Sequence, residues 1–275
     1  MSPSLPSGSW DCHAHVIEGT DRFPLAPGRS YEPPVARLPA YLGFLDRFGL
    51  GRGALVQPSV YGFDNRCMLT ALEAAGGRLV GVAVPAPETG PGELEALHRR
   101  GVRGVRCNLL NPGGIDPSVV LRWKPVMREL GWHLDMHVDV ESWGEMGTVL
   151  DRFGIPVVID HMGRPDLARP WDRPGLRLLA DRLREGDCFV KLSAPYRLSG
   201  DAPPWPSVTP LAQTLLEANP SRCLWASDWP HVDTKCPVHA EDLSEALADW
   251  CPDPSLLRIL MKDTPEQLFC TGATP

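Results

Sequence analysis

What most restricts this chain is a recurrence of eight short β-branched or apolar runs, separated by segments of helical periodicity. The runs are Trp10 to His15, Gly53 to Gln57, Leu79 to Val84, Val102 to Asn108, His133 to Val138, Pro156 to Asp160, Phe189 to Leu192 and Cys223 to Ala226. Between them, Leu38, Leu42, Leu45 and Phe48 share a helical face that ends at Gly49, and Trp123, Val126, Met127 and Leu130 share another that ends at Gly131. Pro39 and Pro210 stand where a first helical turn begins, a place that loses nothing by lacking an N–H. Such alternation predicts an α/β fold with a parallel sheet, either closed as a (β/α)8 TIM barrel or open and doubly wound. The polar residues favour closure. His13, His15, Arg106, Asn108, His137, His161, Ser193 and Asp228 sit at or just past the carboxyl ends of the runs. In a closed barrel those ends converge on one face, and an open sheet would spread them out.

A chain of 275 residues, 43% of them hydrophobic, suits one barrel as a single domain spanning residues 1–275. Its net charge of −7 offers no general attraction to nucleic acid or to an anionic membrane, so an acidic ligand must be recognised locally. Met1 to Ser9 lack the basic and apolar regions of a secretion signal, and no apolar stretch is long enough to span a bilayer. Eight cysteines, at 12, 67, 107, 188, 223, 236, 251 and 270, form no CxxC pair and read as reduced thiols. The expectation is a soluble cytoplasmic protein without nucleic-acid or membrane partners, with a homodimer left open.

Asp11-Cys12-His13-Ala14-His15 closes the first run, and period-two alternation turns both imidazoles to one side. An imidazole there can ligate a divalent metal, or donate a hydrogen bond that steadies developing negative charge. His161 and Asp228, in Asp160-His161-Met162-Gly163-Arg164-Pro165 and Ser227-Asp228-Trp229-Pro230, end the sixth and eighth runs. Three imidazoles and a carboxylate can therefore meet, and the carboxylate can take a proton from attacking water and return it to a departing oxygen. His137 fits a metal ligand, a substrate contact or a packed core residue equally well. Asp135, of the same parity but deeper, fits a salt link or hydrogen bond inside the barrel. Arg106, Arg164 and Arg197 all follow barrel strands, and a guanidinium holds a carboxylate through two parallel hydrogen bonds. Tyr31, Ser59 and Tyr61 can add hydroxyl groups from the loops after the first two strands.

In combination and in this order, several segments resemble the amidohydrolase-related group that contains 2-pyrone-4,6-dicarboxylate lactonase and the sugar-lactone hydrolases. They are Asp11 to His15, Leu55 to Gly62, Gly101 to Asn108, Asp160 to Arg164, Lys191-Leu192-Ser193 and Ala226 to His231. The resemblance runs along nearly the whole chain. It implies an amidohydrolase-type barrel and hydrolysis of a small anionic lactone. Asp228 would activate water, His13, His15 and His161 would polarise the carbonyl, and Arg106, Arg164 and Arg197 would grip substrate carboxylates beside Tyr31 and Ser59. The dicarboxylate lactonase pattern has a further arginine after the fourth strand, where this chain reads Leu109-Leu110-Asn111-Pro112-Gly113-Gly114. It also implies either no obligatory cofactor or one divalent ion, Zn2+ or Mn2+, on His13, His15, His161 and Asp228. A binuclear centre is disfavoured, because nothing from Val102 to Asn108 supplies a bridging lysine or glutamate. A metal-dependent decarboxylase and a barrel that only binds an acidic metabolite are the alternatives, distinguished by carbon dioxide release and by affinity without turnover.

Overall fold

The chain's structure is a computed structural model that describes residues 5–112, 114–142, 146–169, 173–232, 234 and 237–270. Eight parallel strands pair in sequence order: β1 (Trp10–Ala14), β2 (Arg52–Val56), β3 (Leu79–Ala83), β4 (Val102–Asn108), β5 (His133–His137), β6 (Val157–Ile159), β7 (Cys188–Leu192) and β8 (Cys223–Trp225). Each falls on a run read from the sequence, with no end moved by more than one residue. The seam between β8 and β1 is joined just beyond β8, where Asp228 N–H donates to His13 O at 2.9 Å and His15 N–H to Trp229 O at 2.8 Å. The closed (β/α)8 barrel is therefore the fold, and the open sheet is set aside.

A helix follows each strand: α1 (Leu38–Phe48), α2 (Arg66–Ala74), α3 (Pro91–Arg99), α4 (Pro117–Glu129), α5 (Met146–Phe153), α6 (Pro174–Glu185), α7 (Thr209–Ala218) and α8 (Ala240–Trp250). In α1 the buried Leu38, Tyr41 and Leu45 share one face, and Gly49 ends the helix at φ 69°, a conformation that favours glycine. Asp116 caps α4 by accepting from Ser118 N–H at 2.8 Å. Two further short helices, α9 (Pro254–Arg258) and α10 (Thr264–Cys270), close the chain. Among the described residues no helix is long and apolar enough to cross a membrane.

The barrel buries apolar side chains in two places. The larger core lies between strands and helices, with Leu55, Val105, Met136, Ile159, Val190 and Trp225 pointing outward from the sheet. A smaller one, inside the barrel, gathers Trp10, Cys12, Ala54, Val80, Val158, Phe189 and Leu224 against Phe269 of α10, whose ring stacks on Trp10 at 5.2 Å. Seven cysteines are free thiols. Cys236, Gly113 and the first four residues, all touched on by the sequence reading, lie outside the described residues.

Strand β1 departs from simple alternation. Its register shifts between Asp11 and Ala14, so the consecutive residues Cys12 and His13 both face inward. Asp11 turns outward, where it accepts from Tyr41 Oη of α1 at 3.1 Å and from Ser227 Oγ at 2.6 Å. The irregularity ties β1 to the start of the β8 loop and aims His13 and His15 at the barrel mouth.

Candidate active site

A cavity of about 920 Å³ opens at the carboxyl ends of the strands. His15, His137, His161, Asp228, Arg106, Arg164, Arg197, Tyr31 and Ser59 all line it. His13 does not. It is fully buried behind that surface, its ring 4.9 Å from that of His15 and 4.8 Å from that of His161. Tyr61, the remaining hydroxyl candidate, is buried and bonds the backbone of Glu18.

Local backbone geometry turns two of these side chains inward. His161, Met162, Gly163 and Arg164 run consecutively at φ 53°, 55°, 74° and 52°, and Asp228 stands at 59°. Left-handed conformations at non-glycine residues are disfavoured and persist where the surroundings dictate them, commonly at functional sites.

Asp228 is the centre of the constellation. Its Oδ2 accepts from Tyr196 Oη at 2.6 Å and from Arg197 Nε at 3.1 Å. Its Oδ1, buried without a hydrogen-bond partner, faces His15 Nε2 at 3.6 Å and His13 Nε2 at 3.8 Å. Burial works to raise the carboxyl's pKa, but His161, Arg197 and the neighbouring histidines outweigh it and hold it well below the carboxylate range. The group is thus an anion with one oxygen held and one available. His15 Nδ1 lies 2.7 Å from Val56 O and must donate to it, which turns Nε2 toward Asp228. His161 Nδ1 is held by Ser193 Oγ at 2.8 Å. Burial pushes His161 and His137 well below the usual histidine range, with Arg106 adding to the effect at His137. Neither ring nitrogen of His137 has a protein partner, which suits a substrate contact and disfavours a satisfied core residue.

The arginines divide. Arg106 spends Nε and Nη2 on Asp160 Oδ2, at 3.2 and 3.1 Å, and Arg197 is paired with Asp228. Arg164 has no ion-pair partner among the described residues, and burial together with the nearby Arg197 lowers its pKa. Tyr31 faces Ser59 across the cavity rim, its hydroxyl pushed upward by burial. In place of a further arginine after β4, Leu110 and Asn111 line the wall and add no charge.

Below this layer lies one that residue-by-residue reading missed in part. Lys191, fully buried in β7, forms ion pairs with Asp135 of β5 and, at 3.1 Å, with Asp160 Oδ1. The salt link expected of Asp135 is therefore present, and its partner is a lysine set among Phe189, Val190 and Leu192. That setting was the available signal, since a lysine inside an apolar strand is buried only when paired. Tyr196, also missed, sits next to Arg197 in the chain.

Two groups of side chains bring ligand atoms within 4.8 Å of one another, as a metal ion requires: His13, His15 and Asp228, and His13, Asp160 and His161. The buried, unpartnered His13 Nε2 and Asp228 Oδ1 are the atoms an ion would meet in the first. In the second, both oxygens of Asp160 already face cations, Lys191 and Arg106.

A barrel with a carboxylate after its eighth strand and histidines after its first and sixth defines a class before any relative is consulted. Residues 10–270 match the family model described as Amidohydrolase, and the chain belongs to that family. It is 35% identical to a 4-sulfomuconolactone hydrolase of Rhizobium radiobacter, covering 98% of this chain and 92% of that one. It is 32% identical to a 2-pyrone-4,6-dicarbaxylate hydrolase of Comamonas testosteroni, covering 96% and 91%. A crystal structure of a probable 2-pyrone-4,6-dicarboxylic acid hydrolase from Acinetobacter baumannii, with citric acid bound, superposes with a TM-score of 0.84 at 27% identity, covering 96% of this chain and 99% of that one.

Proposed function

We propose that this amidohydrolase opens the cyclic ester of a small anionic lactone. The observation that carries the reading is Asp228 Oδ1, an ionised oxygen with no hydrogen-bond partner, at a cavity shared with three imidazoles and three guanidiniums. The names of the relatives supply the bond: both are lactone hydrolases.

Water held between Asp228 Oδ1 and His15 Nε2 attacks the carbonyl carbon as Asp228 accepts its proton. So acidic a carboxyl is a weak base, and the transfer depends on donors that stabilise the forming oxyanion. His161, whose Nδ1 is engaged by Ser193, directs its other nitrogen to that oxygen, and His13 supports the site from behind. His15, which donates to Val56, orients water and does not polarise the carbonyl. The tetrahedral intermediate collapses with cleavage of the ring C–O bond, and Asp228 returns the proton to the leaving oxygen. Arg164 anchors the substrate's acidic group, while Arg106 and Arg197 are offset by Asp160 and Asp228 and shape the pocket. Tyr31, Ser59 and His137 complete the contacts.

The donor set does not fit a resident divalent ion, because Lys191 donates to His13 Nδ1 and leaves hydrogen on the Nε2 that an ion would need. We therefore assign the reaction to side chains alone. The family match from residue 10 to residue 270 supports one domain, and seven unpaired thiols suit the cytoplasm. The test is ring opening, followed by pH indicator, across a panel of carboxylated, sulfonated and sugar lactones with chelator-treated enzyme. Turnover supports the reading. Carbon dioxide release, or saturable binding without ring opening, would overturn it.

A further inference from the structure

Lys191 is the least expected side chain in the barrel, a primary amine with no exposure near the carboxyl end of β7. A charged ammonium has three donors and no acceptor. Here it meets Asp135 Oδ2, Asp160 Oδ1 at 3.1 Å and His13 Nδ1 at 3.2 Å. Burial works to strip its proton, but the two carboxylates prevail and keep it charged. Lys191 can only donate to His13 Nδ1, so that nitrogen must be an acceptor. Asp160 Oδ1, at 3.3 Å from the same nitrogen, receives no aligned hydrogen bond and does not compete for a proton there. An imidazole whose Nδ1 accepts a hydrogen bond is neutral and carries one N–H. With Nδ1 accepting, that hydrogen is on Nε2.

We propose that Lys191 is a positioning residue that fixes the Nε2–H tautomer of His13, making the ring a hydrogen-bond donor toward Asp228 in place of a metal ligand. The geometry stands by itself, and only its catalytic meaning rests on the lactonase reading. A metal in this position would need a lone pair on the same Nε2 that now bears hydrogen. Its electrostatic part is taken by Lys191, which places a fixed positive charge under the histidines and is itself held by two carboxylates. His13 Nε2–H then lies 3.8 Å from Asp228 Oδ1, beyond hydrogen-bond length, and favours the ionised carboxylate electrostatically.

The test uses the full chain with ring-15N histidine, His13 being assigned by the signal lost in His13→Gln. Lys191→Met alone strands the buried Asp135 carboxylate, so the informative variant pairs Lys191→Met with Asp135→Asn, which removes both charges. Nitrogen shifts are expected to show protonated Nε2 and unprotonated Nδ1 in the wild type. In the double variant the proton moves to Nδ1, facing Asp160, and calorimetric Zn2+ affinity rises by about tenfold or more, the range that changes around a metal's ligands produce. Protonated Nδ1 in the wild type, or unchanged zinc affinity in a folded double variant, overturns the proposal. If the wild type opens no lactone yet shows the expected tautomer, the lactonase reading falls and the role of Lys191 stands.

Discussion

At the amino-terminal end of the barrel interior, Trp10, Cys12, Ala54, Val80, Phe189 and Phe269 pack as an apolar plug. At the carboxyl end the same strands carry Lys191, Asp135, Asp160, Arg106, His13 and His137, nearly all fully enclosed. One β7 ladder step, from Phe189 to Lys191, crosses the boundary. The lower layer needs only volume and shape, and its stabilisation scales with apolar area removed from water. The upper layer needs every charge matched, because an ion buried without a partner costs far more than a lost methylene. It also holds the left-handed His161, Arg164 and Asp228, and Asp228 Oδ1 and both nitrogens of His137 have no protein partner. These strained residues line the cavity, with the plug packed beneath them.

That contrast predicts different failures at the two ends. The largest effect is expected for Asp228→Asn, which keeps the shape of the site and removes the base: kcat for lactone opening should fall by about a thousandfold or more, with the circular dichroism spectrum unchanged. Near-normal turnover would refute Asp228 as base. Phe269→Ala works in reverse. By opening a void against Trp10 it should cost about 3–5 kcal/mol in urea unfolding while kcat per folded molecule is retained, and a comparable loss of kcat would show that the two layers are not separable.

His231, beside Tyr196 at the rim, is lowered by burial to about 4. A depressed histidine contributes stability that is present above the unfolded pKa near 6.5 and is lost as pH falls through 4, because the unfolded chain takes the proton first. Replacing His231 with Gln should therefore flatten the acid limb of the stability curve by roughly 3 kcal/mol between pH 6.5 and 4. Equal slopes in both proteins would place the acid sensitivity elsewhere. The smallest expected effect is that of Arg164→Met, which should raise KM about 30-fold and change kcat less, as loss of one charge-assisted contact implies. Arg106→Met should perturb folding as well, since it strands one oxygen of Asp160. Identical profiles for the two arginines would remove the distinction drawn between them.

Much of this was legible before folding. Eight strands, the glycine that ends α1, and nine cavity-lining residues follow from periodicity and from polar residues at strand ends, which are local properties of the chain. His13 was placed correctly beside its partners, yet its burial behind the cavity was hidden, because the shift of register in β1 depends on pairing with β2. Alternation alone would have put Asp11 on the same side as His13. The arginines show the limit most clearly. Sequence alone determined that Arg106, Arg164 and Arg197 end near one another, since strand order in a barrel follows chain order. Only the tertiary structure decided that Arg106 is spent on Asp160, 54 residues away, that Arg197 braces Asp228, and that Arg164 has no ion-pair partner among the described residues. Lys191 and His13, 178 residues apart, meet for the same reason. A side chain's position along a strand is a local matter, whereas the partner that sets its charge or tautomer is chosen by the closure of the barrel.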